Sequence, residues 1–213
     1  MPLLFASSNS HKLDEVRAIL APLGIEVIGL DSLADLPPEP VEDGATFAAN
    51  AAIKAIAYAR ATGLRCLADD SGLEVDALGG APGVYSARYA QDHFSPGAFD
   101  ALPRQERDEA NNRKLLAALR SVPPEKRTAR FVCAMCLADP DRRVLRETRG
   151  TFGGVVTDEP RGTNGFGYDP LLWLPEEGRT SAELSPEEKN ARSHRGAAAR
   201  EMAQWLESAA APS

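Results

Sequence analysis

The 213-residue sequence predicts an α/β protein, and three observations carry that expectation. Short apolar runs alternate with stretches of helical periodicity over the first half of the chain. An apolar run at 130–138 is followed, across Asp139-Pro140-Asp141, by an alternating run at 144–149, the pattern of an antiparallel hairpin. Ser185-Pro186-Glu187-Glu188 then has the N-cap serine, N1 proline and N3 glutamate that open a last helix. No internal repeat or low-complexity linker interrupts the chain, so residues 1–213 are expected to form one intertwined unit, a single domain rather than two separable ones.

Composition excludes several classes. The chain is 43% hydrophobic and 26% charged, ordinary globular values, and no stretch approaches the roughly 20 apolar residues that span a bilayer. Residues 1–5 carry no basic leader and only a very short apolar run, so they are expected to be a first strand rather than a secretion signal. Three cysteines, an odd number, speak against a disulfide framework and for a reducing, cytoplasmic setting. A net charge of −7 without a basic tract speaks against a nucleic-acid surface.

Taken in order, Leu3 to Ala6 reads as a buried strand. Ser7, Ser8, Asn9 and Ser10 follow, residue types that cap helices, before Leu13, Val16 and Leu20 repeat at helical spacing. Such a turn aims free backbone N–H groups and a positive dipole end outward, and Lys12 adds charge, so phosphate is the natural guest. The glycines of a Walker loop are missing, and a plain helix cap is an equal reading. Pro22 to Gly24 ends the helix, 25–30 reads as a second strand, and the loop at 31–44 holds Glu39, Glu42 and Asp43. A helix over 46–61 places Phe47, Asn50 and Lys54 on one face, where the lysine either serves an anion or snorkels to water.

Residues 64–68 read as a short buried strand that delivers Asp69, Asp70, Ser71 and Gly72 at its end. Strand side chains alternate, so the two acids cannot face one way unless the strand has broken, and one of them is expected to face the chemistry. A solvated turn is the other reading of such a composition. Residues 89–104 look irregular, and 105–122 helical with Leu115, Leu116 and Leu119 inward. Cys133 and Cys136 lie an odd offset apart on a strand, hence on opposite faces, which makes them core residues rather than a redox or zinc pair. Phe166 and Tyr168 sit between glycines, either to stack on a planar ligand or to enter a core. Residues 171–174 form a short strand, Lys189, His194 and Arg195 fall on the last helix or a break in it, and Met202, Trp205 and Leu206 dock its tail.

Five segments, SSNSHKLDE, EDGATFAANAAIKA, LADDSGLEVDALGGAPGVYSARYA, GTNGFGYDP and ELSPEEKNARSHRG, occur in one order over almost the whole chain. In that order they resemble the inosine triphosphate pyrophosphatase family, also described as non-standard purine NTP pyrophosphatases or dITP/XTP diphosphatases. The resemblance implies an elongated mixed β-sheet flanked by helices, two lobes with a substrate cleft between them, a cytoplasmic homodimer and a magnesium requirement. Position by position, it implies that Ser7, Ser8, Asn9, Ser10, His11 and Lys12 lie near phosphate and that Lys54 is a second phosphate contact. Asp70 corresponds to the catalytic proton acceptor and metal site, and Ser71 to a substrate contact. Phe166, Gly167, Tyr168, Asp169, Lys189, His194 and Arg195 correspond to nucleotide-binding positions. The acidic metal ligand before the second helix falls to Glu42 or a neighbouring acid. Residues 91–108 depart from the family's shorter connection.

The expected reaction is attack of water on the α-phosphorus of a purine nucleoside triphosphate such as ITP, dITP or XTP. Asp70 or Asp69 would take the water proton, Glu42 and Asp70 would hold magnesium, and Lys12, Lys54 and Lys189 would balance the triphosphate. His194 and Arg195 would read the purine edge and Phe166 would stack on its face. Two alternatives stand beside this: a Maf-like pyrophosphatase, against which Asn9 and Lys12 speak, and a catalytically silent nucleotide-binding module, against which the acids speak.

Overall fold

A computed structural model describes residues 2–210. Its strands are β1 (Leu3–Phe5), β2 (Val27–Gly29), β3 (Cys66–Val75), β4 (Thr128–Ala138), β5 (Val144–Val156), β6 (Leu172–Leu174) and β7 (Arg179–Thr180). Its α-helices are α1 (Ser10–Leu20), α2 (Phe47–Thr62), α3 (Arg104–Ala118), α4 (Pro186–Arg192) and α5 (His194–Ala210). The strands form a seven-stranded sheet in the order β2-β1-β3-β4-β5-β6-β7. β1 runs parallel to β2 and β3, whereas β6 is antiparallel to β5 and β7, so the sheet is mixed as expected. The parallel part follows from the intervening helices, because parallel strands need a crossover.

The chain divides into two compact units. The first comprises 1–71, 133–151 and 193–213, and the second 72–132 and 152–192. In the first unit α1 and α5 pack on one face of the sheet through Leu13, Val16, Leu20, Ala198, Ala199 and Met202, against Phe5, Leu67, Cys133, Met135 and Leu137. Trp205 and Leu206 lie against the same cluster, as the sequence predicts for the tail of the last helix. The alanine-rich face of α2 packs through Ala51, Ala55, Tyr58 and Ala59 against the other sheet face, Leu4, Cys66, Ala68, Cys136 and Ala138. Small side chains let that helix approach closely. Cys133 and Cys136 fall in different clusters, so the opposite-face reading of their spacing is borne out. Burial pushes the thiols of Cys66 and Cys136 up to about 12, which keeps them protonated and inert.

The second unit has its own core of Leu73, Val75, Leu115, Leu119, Phe131, Leu171, Leu172 and Leu184. Leu116 packs only partly buried against it. Ser185 caps α4 reciprocally: its Oγ accepts from Glu188 N at 3.2 Å, and its N–H donates to the Glu188 carboxylate at 2.8 Å. The helix breaks at Ser193, whose Oγ accepts from Gly196 N at 2.9 Å and restarts the chain as α5.

One expectation fails in an instructive way. The strand predicted to stop before Asp69 runs on to Val75, through both acids, Ser71 and Gly72. Turn-forming composition is overridden by tertiary contacts: Asp69 is fully buried among cations, and at Gly72 a Cβ would lie 2.2 Å from Ser86 Oγ. That glycine lets Ser86 Oγ reach in and accept the Leu73 N–H at 2.9 Å.

Candidate functional site

Because β3 stays pleated, Asp69 and Asp70 point to opposite faces. Asp69 joins the face covered by α1 and α5. Both of its oxygens accept from Lys12 Nζ, at 3.1 and 3.0 Å, and Oδ2 also accepts from Arg195 Nε at 3.2 Å and from the Cys133 thiol at 3.7 Å. Burial alone would push this carboxyl up, but Lys12, Arg195 and Lys54 together hold it well below the usual carboxylate range. Asp69 is therefore a permanent anion, unsuited to accept a proton from water.

Asp70 joins the face covered by α2. Its Oδ2 accepts from Asn50 Nδ2 at 2.9 Å and its Oδ1 from Ser71 N at 2.9 Å. It is half-buried, and desolvation, aided by the charge of Glu42, keeps its carboxyl above the ordinary value against the pull of Asn50, Lys54 and Lys12. A reachable carboxylate with a raised pKa is what a general base requires.

Lys54 ties the acidic loop to this strand. Its ammonium pairs with Glu42 at 3.0 Å and donates to the Asp69 backbone carbonyl at 3.1 Å. Burial works against the charge, but Asp69, Glu42 and Asp70 outweigh it and raise the Lys54 pKa, so the group stays cationic. Of Glu39, Glu42 and Asp43, the first and last are exposed, and Glu42 is the one paired with Lys54.

At the start of α1, Asn9 is the N-cap: its Oδ1 accepts from His11 N at 3.2 Å, and its own N–H donates to Ser7 Oγ at 3.2 Å. Ser8, Ser10 and His11 are exposed. The cap is thus real, and it coexists with outward-facing hydroxyls one turn from Lys12.

Arg195 lies beside Asp69. The guanidinium is 1% exposed, and all three of its nitrogens are engaged: Nε with Asp69, Nη1 with Glu15 at 2.8 Å and Nη2 with Ser71 Oγ at 3.1 Å. Burial disfavours its charge, but Asp69 and Glu15 outweigh burial and raise its pKa. Three of its five N–H groups are thus turned to two carboxylates and a hydroxyl. His194 beside it is buried as well.

The remaining predicted residues gather in the second unit. Asp169 is buried, its Oδ2 accepting from Lys189 Nζ at 2.5 Å and Phe166 N at 2.8 Å, its Oδ1 from Ser181 Oγ at 2.8 Å. Gly165, at φ +78, permits this: a Cβ there would lie 2.2 Å from Asp169 Oδ2. The Phe166 ring carries the Arg104 guanidinium 4.5 Å and the Lys189 ammonium 5.2 Å from its centroid. Gly167 is held by Asp108, which accepts its N–H at 3.0 Å, and by Asn112, which donates to its carbonyl at 3.0 Å. Tyr168, read together with Phe166, is instead a core residue whose hydroxyl donates to the Ser86 carbonyl at 2.8 Å.

Sequence reasoning assigned no role to Glu15, Ser181, Arg104, Asp108 or Asn112, and placed Asn50 on the Lys54 face without one. Glu15 lies one helical turn from Lys12, and Asn50 shares a face with Lys54, so both carried a signal in their spacing. Arg104 carried none, because 89–104 has no periodicity. It is the first residue of α3, one position before the predicted start.

A mixed α/β sheet whose third strand sets a locked anion beside a more basic carboxylate, each flanked by lysines, is an arrangement suited to a polyanion. The chain belongs to the Ham1 family, whose model matches residues 3–205. It is 50% identical over 210 residues to a dITP/XTP pyrophosphatase of Corynebacterium efficiens, covering 95% of each chain. Among solved structures it is similar to a HAM1 protein from Coxiella burnetii, with a TM-score of 0.83 and 40% identity over 98% of this chain and 99% of that one. It is also similar to a nucleoside-triphosphatase / dITP/XTP pyrophosphatase from Mycobacterium abscessus, with a TM-score of 0.72 and 42% identity over 97% and 99%. The resemblance drawn from the five segments is borne out.

Proposed function

We propose that the chain hydrolyses non-standard purine nucleoside triphosphates of the ITP, dITP and XTP class to the monophosphate and pyrophosphate. The observation that carries the chemistry is Asp70, a half-buried carboxylate oriented by two N–H donors and kept more basic than usual. In this reading the oxygen of a water forms a bond to the α-phosphorus, and its proton passes to Asp70. The bond from the α-phosphorus to the bridging oxygen breaks, and pyrophosphate leaves with that electron pair. Lys12 and Lys54 hold positive charge beside the acids and suit the phosphate oxygens. The substrate class rests on the names of the relatives, and the Phe166 ring, already attractive to cations, supplies an aromatic face for a base.

Magnesium fits the donor set. Among the described residues no group of three His, Cys, Asp or Glu could enclose a metal ion. A pair such as Glu42 and Asp70, close enough for the charge of Glu42 to raise Asp70, is the partial set of carboxylates that magnesium takes together with water and phosphate oxygens. When bound, magnesium would neutralise charge on the phosphate oxygens. Glu42→Gln is expected to raise the magnesium concentration for half-maximal rate, and an unchanged titration would move the ligand to Glu39 or Asp43. A homodimer and a cytoplasmic location belong to the same reading. Among the described residues no helix is long and apolar enough to cross a membrane.

Pyrophosphate release with magnesium, measured over ITP, dITP, XTP, ATP and GTP, tests the function. Release from the first three well above the last two is expected. Equal rates on all five would overturn the substrate class, and binding without release would favour the silent module.

A further inference from the structure

Asn50 joins the acidic loop to the strand that carries Asp70, so its part extends beyond the single bond to that carboxylate. It lies on the first turn of α2, 2% exposed, with its amide engaged at both ends. Nδ2 donates to Oδ2 of Asp70 at 2.9 Å, and Oδ1 accepts the Gly44 N–H at 2.8 Å. Gly44 has no room for a side chain, since a Cβ would lie 2.7 Å from Asn50 Oδ1 and 2.8 Å from Ala49 Cβ. Two residues before Gly44 stands Glu42, whose carboxylate is tied to the same helix through Lys54 at 3.0 Å.

We propose that Asn50 is a positioning residue that holds the Asp70 carboxylate and the Glu42-bearing loop in one frame, so that the two acids meet the phosphate tail at a fixed spacing. A planar amide offers a donor and an acceptor on one rigid group, so it can serve a carboxylate and a backbone N–H at once. Aspartate in its place would keep the acceptor for Gly44 but set a second carboxylate against Asp70. Alanine would release both. The purely structural reading, an amide that only satisfies a buried loop, requires the Gly44 bond alone.

The proposal rests on the hydrolysis proposed above, so wild-type protein is assayed in parallel with Asn50→Asp and Asn50→Ala. Both variants are expected to lose about 10- to 100-fold in kcat, the scale for partners that orient a reacting or ligating group. Both should also need more magnesium for half-maximal rate. Each should still bind one equivalent per chain of a non-hydrolysable α,β-imido purine triphosphate by calorimetry, which a merely unfolded site would not. Wild-type kcat and magnesium dependence in Asn50→Asp would overturn the proposal, and so would a fall in kcat that matches lost binding stoichiometry. An active wild type with unaltered variants overturns this inference alone. A wild type that releases no pyrophosphate from any triphosphate overturns the function and this inference with it.

Discussion

Asp70→Asn is expected to lower the rate of pyrophosphate release by about 10³-fold, within the range that a positioned general base contributes. The amide keeps the shape of the side chain and can still accept from Ser71 N, so nucleotide binding should survive. It loses the charge and the ability to take a proton. The sign of the pH dependence follows from the direction of the shift: the carboxylate form is required, and the Asp70 carboxyl is raised. Wild-type rate should therefore fall at acid pH, and magnesium held by the same carboxylate would bring that fall to lower pH. In Asp70→Asn that acidic limb should disappear from the residual rate. Near-wild-type turnover in the variant would remove Asp70 from the reaction. Asp69 could not replace it, because Lys12 and Arg195 hold that carboxylate ionised.

Arg195→Ala is expected to cost about 3–5 kcal/mol of stability, the scale for breaking a buried ion pair by removing one partner. In a chain of this length that lowers the thermal midpoint by roughly 6–20 °C, at about 2–4 °C per kcal/mol. The reason is geometric. Removal leaves Asp69, which is fully buried, with Lys12 as its remaining side-chain ion-pair partner, and takes from Glu15 the guanidinium 2.8 Å away. Acid sensitivity should shift as well. Asp69 has a depressed pKa in the folded state, so its contribution is fully present above the unfolded value of about 4 and is lost as pH falls below it. Without Arg195 the depression shrinks, and acid unfolding should begin at higher pH. A variant with an unchanged thermal midpoint and a narrowed gap between ITP and ATP would return Arg195 to the purine edge.

Much of this arrangement is legible in the sequence, and the limits are physical. The caps at Asn9 and Ser185 and the opposed cysteines follow from local rules, because each depends on residues within a few positions. The acids at 69–70 do not. Their local composition reads as a strand end, whereas the strand continues because Asp69 is neutralised by residues 57 positions before it and 126 after it. The partners of Arg195 are illegible for the same reason: a motif places it near the chemistry but does not say which of its nitrogens face carboxylates. Phe166 and Tyr168 illustrate the period-two ambiguity of aromatics between glycines, one ring left half-exposed under cations and the other buried.

Two chemically identical side chains at adjacent positions thus receive opposite fates, and what distinguishes them is only whether their position along β3 is odd or even. It follows that insertions and deletions in the lead-in at 64–68 are not graded by size. Removing one residue while the strand keeps its place in the sheet would exchange the locked acid and the available one, whereas removing two would restore the alternation and shorten only the approach. The count of residues between α2 and Asp69 is therefore as much a part of the chemistry as the identity of the acids.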